Sequence, residues 1–237
     1  MATGTIFLIP TTLGGESTND ITPEAVRTQV IELRCFIVES VKSARRYLRK
    51  LDRTFPIDEC QFFELNKKTD AGAIYSFIKP AKQGTDIGVL SEAGCPGVAD
   101  PGAAVVALAH EENIQVHPFV GPSSILLALM GSGFSGQNFA FHGYLPKDRK
   151  DRIREMKNFE GDTRRNGATH LFMDTPFRNM NVLDDLLNEL SDNTMLCIAS
   201  NITLPTESIK TMSIKDWREN AYDLGKKPTM FAIGKTQ

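Results

Sequence analysis

At 237 residues, with 27 basic against 29 acidic side chains and a net charge of -2, the chain is long enough for one large domain or two modest ones. It carries no global field to draw it to nucleic acid or membrane, so any such affinity has to come from local patches. Four cysteines without C-x-x-C spacing and four histidines without ligand spacing point to no disulfide framework and no metal site. With no leader segment and no run approaching ~18 apolar residues, a cytoplasmic protein off the membrane is expected.

Apolar runs alternate with helix-period segments along the first half. Strands are predicted over 5–9, 35–39, 61–65, 87–90 and 115–119, with helices starting near Pro23, Val41, Ala71 and Ala103. This βα rhythm predicts an α/β fold whose first sheet is mostly parallel and covered by helices on both faces. Thr22 is placed to cap the first helix, with Pro23 at its first position and Glu24 at the positive end of its dipole. Past the segment 118–122 the rhythm changes. Strands over 139–141, 170–173, 195–199, 208–212 and 230–233 alternate less regularly with helices, and two are joined only by a turn at Pro205. A second α/β domain with a mixed sheet is expected, so that 1–119 and 120–237 form two domains with a ligand cleft between them. Met180, Leu183, Leu186, Leu187 and Leu190 recur at helical spacing and read as core.

The strand over 87–90 runs into Ser91-Glu92-Ala93-Gly94-Cys95-Pro96-Gly97-Val98-Ala99-Asp100-Pro101-Gly102. Open α/β sheets bind ligands at the carboxyl ends of their strands, and this loop is longer than the usual ~2–6 residues. Its glycines permit close approach of a ligand to the main chain. The hydroxyls of Ser123 and Ser124, in Gly121-Pro122-Ser123-Ser124, either cap the helix that follows or bind a polar group of a ligand. The run Gly131-Ser132-Gly133-Phe134-Ser135-Gly136 matches the dinucleotide pattern but follows a helical segment, so it reads as a helix stop. Neither a P-loop, H-E-x-x-H nor G-x-S-x-G is present. Cys35 and Cys197 lie in apolar runs as buried thiols, whereas Cys95 falls in the exposed loop. Two basic segments, Lys42, Arg45, Arg46, Arg49, Lys50 with Arg53, and Lys147, Arg149, Lys150, Arg152, Arg154, Lys157 with Arg164 and Arg165, are either solvated faces or phosphate contacts to RNA.

Read in order, these motifs resemble a known family. The segment 91–102 is similar to the S-D-A-G-T-P-x-x-S-D-P-G signature of the 16S ribosomal RNA cytidine-2'-O-methyltransferase branch of the tetrapyrrole methylase superfamily. Gly121-Pro122-Ser123-Ser124 resembles its P-G-x-S segment. Ser132-Gly133-Phe134, Phe141-His142-Gly143-Tyr144-Leu145-Pro146, Thr175-Pro176-Phe177-Arg178 and Asp20-Ile21-Thr22 resemble its S-G-L, F-x-G-F-L-P, S-P-H-R and D-I-T blocks. Two segments depart: the T-P-I-G-N-L loop is here Pro10-Thr11-Thr12-Leu13-Gly14-Gly15 with an insertion before Asp20, and E-D-T-R is Glu39-Ser40-Val41-Lys42.

The resemblance implies a two-domain enzyme that binds S-adenosylmethionine between its domains, works as a homodimer and methylates small-subunit ribosomal RNA. It carries cofactor contacts onto Pro10, Ser91, Glu92, Ala93, Gly94, Val98, Ser123 and Ser124, and onto Asp174, Asn201, Pro228, Thr229 and Met230 of the second domain. A hydroxyl acceptor profits from a base, and Glu39, Glu92 and Asp100 are candidates because they sit at or just past strand ends. A tetrapyrrole or other small molecule is the alternative acceptor. A non-catalytic S-adenosylmethionine-binding protein is the alternative of another class.

Overall fold

The computed structural model describes residues 3–236 except 16, 19, 20, 67, 68 and 221, so Asp20 of the Asp20-Ile21-Thr22 block lies outside the described residues. Five short strands of the first half, β1 (Thr5–Ile9), β2 (Cys35–Val38), β3 (Gln61–Glu64), β4 (Ile87–Leu90) and β5 (Gln115–Pro118), are all parallel. Parallel neighbours need crossovers, which α1 (Glu24–Glu32), α2 (Val41–Leu51), α3 (Ala71–Phe77), α4 (Lys79–Lys82) and α5 (Gly102–Glu111) supply. The order β3-β2-β4-β1-β5 puts β4 and β1 side by side inside the sheet, with Ile9 opposite Leu90.

Successive side chains of a strand point to opposite faces, and both faces are apolar here. Phe7, Ile9, Phe36, Val38 and Leu90 pack with Val26 and Val30 of α1 and Leu48 and Leu51 of α2. Ile6, Cys35, Ile37, Ile87 and Val89 pack on the other side with Ile78 and Ala81 near α4 and Val105 and Ala109 of α5. Each large side chain so buried contributes ~1.5–3 kcal/mol. At α1 the expected cap is corrected: Pro23 is the N-cap residue, with no side-chain capping bond. The helix starts one residue later, with the Pro23 carbonyl accepting the Val26 and Arg27 N–H groups at 3.0 Å each.

The chain forms two compact units, Met1–Ser123 and Ser124–Gln237. The second contains α6 (Ser124–Ser132), β6 (Phe139–Tyr144), α7 (Arg149–Asn166), β7 (Thr169–Met173), α8 (Asn179–Glu189), β8 (Met195–Ser200), β9 (Ser208–Ser213), α9 (Ile214–Glu219) and β10 (Thr229–Gly234). Its sheet has the order β6-β7-β10-β8-β9 and is mixed: β6 runs parallel to β7, and the other pairs are antiparallel. One face buries Phe172, Leu196, Ile198 and Phe231 under Met156 and Phe159 of α7, Leu183 and Leu186 of α8 and Trp217 of α9. Across the other face runs α6, and Gly131 lets it come close, since a Cβ there would stand 2.8 Å from Ile209 Cδ1. The glycines of 131–136 do end a helix: α6 stops at Ser132, and Gly133 takes φ +74°. Among the described residues no helix is long and apolar enough to cross a membrane.

Candidate functional site

Because β1, β2, β4 and β5 are parallel, Pro10, Glu39, Ser91 and Phe119 leave the first sheet on one edge. The 91–102 loop is tied there by its own main chain. Thr11 and Gly94 exchange N–H···O bonds of 2.9 and 3.2 Å, Thr11 Oγ1 donates to the Ser91 carbonyl at 3.2 Å, and Ser91 Oγ donates to the Gly94 carbonyl at 2.7 Å. Ser91 is buried, so its hydroxyl shapes the turn. Gly94 takes φ +73°, where a Cβ would be strained and would also meet Leu13 at 3.2 Å. Pro10 is anchored from α2, whose Tyr47 phenol donates to the Pro10 carbonyl at 2.9 Å. Burial raises the Tyr47 pKa, so the phenol keeps its proton.

The three candidate carboxylates occupy different situations. Glu39 Oε1 accepts the Glu92 N–H at 3.3 Å, and Glu92 Oε2 accepts the Ser43 hydroxyl at 2.9 Å, so β2, α2 and the loop converge on Glu92. Asp100 is engaged otherwise. Its Oδ1 accepts both Gly97 N at 2.6 Å and Gly102 N at 2.8 Å, closing the loop onto the start of α5, while burial pushes its pKa up. A cavity of about 190 Å³ lies beside Glu92, lined by Thr11, Ser43, Arg46, Tyr47, Lys50 and Ser91 among others. Ala93 and Val98 are exposed on the loop. The Cys95 thiol, half-buried 3.5 Å from the Pro122 carbonyl, is held protonated by burial and by nearby Asp100, which makes it a poor nucleophile.

In the second unit the antiparallel pairing of β10 with β7 and β8 gathers Asp174, Asn201, Pro228 and Thr229 at one edge of the sheet. Asp174 is buried, accepts the Thr175 N–H at 2.7 Å through Oδ1 and has Oδ2 3.2 Å from Arg178, out of hydrogen-bonding alignment. Asn201 takes φ +51°, donates its amide N–H to the Pro228 carbonyl at 2.9 Å and its side-chain amide to Thr206. Thr229 shares a 3.0 Å hydroxyl contact with Ser200. Met230 is core, 3% exposed and paired in the ladder with Met173 and Ala199, so its side chain packs in the sheet. Ser123 ends the first unit, and Ser124 opens α6 of the second.

Thr11, Ser43, Tyr47 and Asn179 were not among the residues singled out from sequence. Asn179 is fully buried and donates to the Lys227 carbonyl at 2.8 Å, yet its Oδ1 has no partner among the described residues. Nothing in the local pattern marks Asn179, which reads as one more position of the α8 helical repeat. Among the described residues no group of three His, Cys, Asp or Glu side chains is placed to hold a metal ion.

No family model matches the chain. It is 27% identical over 217 residues to the ribosomal RNA small subunit methyltransferase I of Haemophilus influenzae, covering 92% of this chain and 72% of that protein. With the protein of the same name from Halalkalibacterium halodurans it shares 30% identity over 184 residues, covering 78% of this chain and 60% of the relative's length. Among solved structures it superposes on the methyltransferase CobJ with TM-score 0.63 at 18% identity, covering 99% of this chain and 95% of the other. A diphthine synthase gives TM-score 0.66 at 14% identity, with 97% and 89% covered. A uroporphyrin III C-methyl transferase from Thermus thermophilus gives 0.54 at 13%, with 98% of each chain covered. The fold is the one these solved structures share, and the similarity in sequence to the small subunit methyltransferases I runs along most of the chain, as the motifs led one to expect.

Proposed function

We propose that this chain, a tetrapyrrole methylase in fold and similar in sequence to the small-subunit ribosomal RNA methyltransferases I, is an S-adenosylmethionine-dependent methyltransferase acting on a ribose 2'-hydroxyl of that RNA. The observation that carries the reading is the 91–102 loop: its sequence resembles the family signature, and it follows the carboxyl end of β4 beside a polar cavity. The domains taken from the sequence, 1–119 and 120–237, then divide the work as cofactor-loop side and completing side. A cytoplasmic homodimer belongs to the same proposal.

The donor set fits the cofactor. Ser91 and Gly94 hold a tight turn through their bonds to Thr11 and to each other, exposed Ala93 leaves room for a ligand beside it, and Val98 offers exposed apolar surface. In the second unit the edge at Asp174, Asn201, Pro228, Thr229 and Met230 would supply the rest, with Ser123 and Ser124 at the junction. The buried Oδ1 of Asn179, whose amide donates to the Lys227 carbonyl, is an acceptor without a donor among the described residues, which supports a polar ligand there. When bound, S-adenosylmethionine supplies a methyl group already activated on a sulfonium sulfur.

The protein then has to hold the acceptor in line and take its proton, and good orientation alone accounts for up to ~7–11 kcal/mol of barrier. Glu92 is the best placed of the three carboxylates to accept the hydroxyl proton, since it is exposed at the cavity and both oriented by Ser43 and linked through its amide to Glu39. Glu39 is the second choice, and Asp100 serves the loop. The cavity walls are mainly hydroxyls, Arg46, Lys50 and Glu92, which favours a ribose-phosphate acceptor over a tetrapyrrole, for which a large apolar pocket is needed.

Calorimetric titration with S-adenosylhomocysteine tests the pocket: binding is expected in the wild type and its loss in Ser91→Arg and Ala93→Trp. Absence of heat with the wild-type protein would refute the assignment. Transfer of labelled methyl from S-adenosylmethionine to small ribosomal subunits tests the activity. Binding without turnover on any acceptor would favour the non-catalytic reading, which the altered 10–15 and 39–42 segments motivate.

A further inference from the structure

The two basic segments meet opposite fates in the fold. On α7, Arg149 and Arg152 share Asp185 at 2.8 and 2.6 Å, Arg154 pairs with Asp151 at 2.9 Å, Lys157 with Glu189 at 2.8 Å and Arg164 with Glu160 at 3.8 Å. Most of that charge is spent inside the unit.

The ridge on α2 keeps its charge. The helix contains no acidic residue, and among the described residues Arg45 alone of the ridge has a carboxylate partner, Asp58 at 3.1 Å. Arg49 and Lys50 donate to neutral acceptors, the Arg53 and Gly15 carbonyls at 2.7 and 2.9 Å. Lys42, Arg46 and Arg53 are exposed and make no side-chain hydrogen bond or ion pair with another described residue. The nearby Asp52 is turned onto Thr54, accepting its N–H and hydroxyl at 2.8 Å each.

Geometry gives the ridge a direction. A helix rises ~1.5 Å and turns ~100° per residue, so Lys42 and Arg49 lie ~10 Å apart along the axis and within ~20° around it. Arg46 falls between them on the same stripe, and Arg53 follows past the C-cap. Tyr47, on the buried side of the helix, pins this array to Pro10. Arg46 and Lys50 line both the cavity at Glu92 and an adjoining one of about 480 Å³, and Lys50 with Arg53 also lines a third of about 500 Å³. A chain of cationic hollows therefore leads along α2 to the edge where Glu92 sits.

We propose that Lys42, Arg46, Arg49, Lys50 and Arg53 form a phosphodiester-binding track that lays single-stranded RNA along α2 and delivers one ribose to the cavity at Glu92. The proposal rests on the reading of the protein as an RNA methyltransferase. Planar guanidinium groups suit phosphate oxygens bidentately, and repeated cations at helical spacing suit a repeated anion. The ridge exposes no large apolar residue that would insert into a lipid surface.

The test is the salt dependence of binding to a short fluorescein-labelled single-stranded RNA, followed by anisotropy. Each phosphate contact on a single strand contributes about 0.7 to the slope of log K against log salt. The triple variant Lys42→Gln/Arg49→Gln/Arg53→Gln, which leaves the residues lining the Glu92 cavity intact, should lower the slope by about 2. The double variant Lys42→Gln/Arg53→Gln breaks no intramolecular side-chain bond seen here and should lower it by about 1.4, so a fold defect at Arg49 cannot hide the outcome. The charge-matched control Arg154→Gln/Lys157→Gln on α7 should leave the slope as in the wild type. An unchanged slope in both ridge variants, an equal fall in the α7 control, or equally tight binding of polyglutamate would overturn the track. Its failure is separable from failure of the enzyme reading, because S-adenosylhomocysteine binding and methyl transfer by the wild-type protein are measured independently.

Discussion

Gly121 stands where the chain leaves β5 and passes the end of β1. A methyl group placed on it would lie 2.4 Å from Pro10 Cβ and 2.7 Å from Pro10 Cγ. Carbon pairs are at their optimum near ~3.5–4.0 Å, so the intrusion exceeds an ångström in round terms. The obstacle cannot swing aside: it is a proline ring, its carbonyl is held by Tyr47 at 2.9 Å, and β1 behind it is paired on both sides by β4 and β5. Relief requires main-chain displacement, and overpacking of this kind costs ~1–3 kcal/mol. At roughly 4 °C per kcal/mol for a unit of this size, Gly121→Ala should melt about 4 to 12 °C below the wild type. Because Pro10 is a proposed cofactor contact, the variant should also bind S-adenosylhomocysteine more weakly in the same calorimetric titration. Gly133→Ala is the comparison, since φ there is +74° but no described atom beyond its chain neighbours lies within 4 Å of a new Cβ, and the left-handed backbone alone costs ~1–2 kcal/mol. A Gly121→Ala protein that melts with the wild type and binds ligand equally would show that the β1 and β5 ends are not in the tight apposition described.

Tyr47→Phe removes the bond to the Pro10 carbonyl and leaves a buried acceptor, so urea denaturation should register a loss of ~1–3 kcal/mol. Asp185→Ala leaves the buried Arg152 without its carboxylate; a loss of ~3–5 kcal/mol is expected in the same measurement, and a neutral result would contradict the charged pair. His142 Nε2 and His170 Nδ1 are 2.8 Å apart, with Asp162 3.0 Å from His170 Nε2, and burial depresses both imidazole pKa values despite Asp162 and Glu155. A folded-state pKa below the unfolded value means that the unfolded chain binds the proton more readily. Stability contributed by this pair is therefore complete above the ordinary histidine value near 6.5 and is lost as pH falls through the folded values. His170→Gln should flatten the pH dependence of the melting temperature in that acidic window, and NMR titration of the two rings above the ordinary value would refute the sign.

Much of this protein was legible from its residues. Runs such as Ile87-Gly88-Val89-Leu90 announce strands buried on both faces, and the intervening helical periods dictate parallel pairing, because a crossover returns the chain in the same direction. The Pro205 turn announces the β8–β9 hairpin for the opposite reason: a short link forces an antiparallel return. The motif in 91–102 located the loop that the fold sets at the carboxyl end of β4. Thr22 failed as a cap because the first helical N–H groups, of Val26 and Arg27, bond to the Pro23 carbonyl, which puts Pro23 at the N-cap position.

Composition and local spacing thus determined the elements, their type and the run of motifs, since these depend on interactions between near neighbours. Tertiary structure decided which charges are spent and which remain. Lys157 and Arg49 look alike in sequence, yet one meets Glu189 of another helix and the other donates to the Arg53 carbonyl. It also decided that Glu92 is oriented by Ser43 while Asp100 is consumed by Gly97 and Gly102, and that Asn179 keeps a bare oxygen in the interior. Hydrogen-bond partners and counter-ions are set by folding distant segments together, and no periodicity along a single segment encodes them.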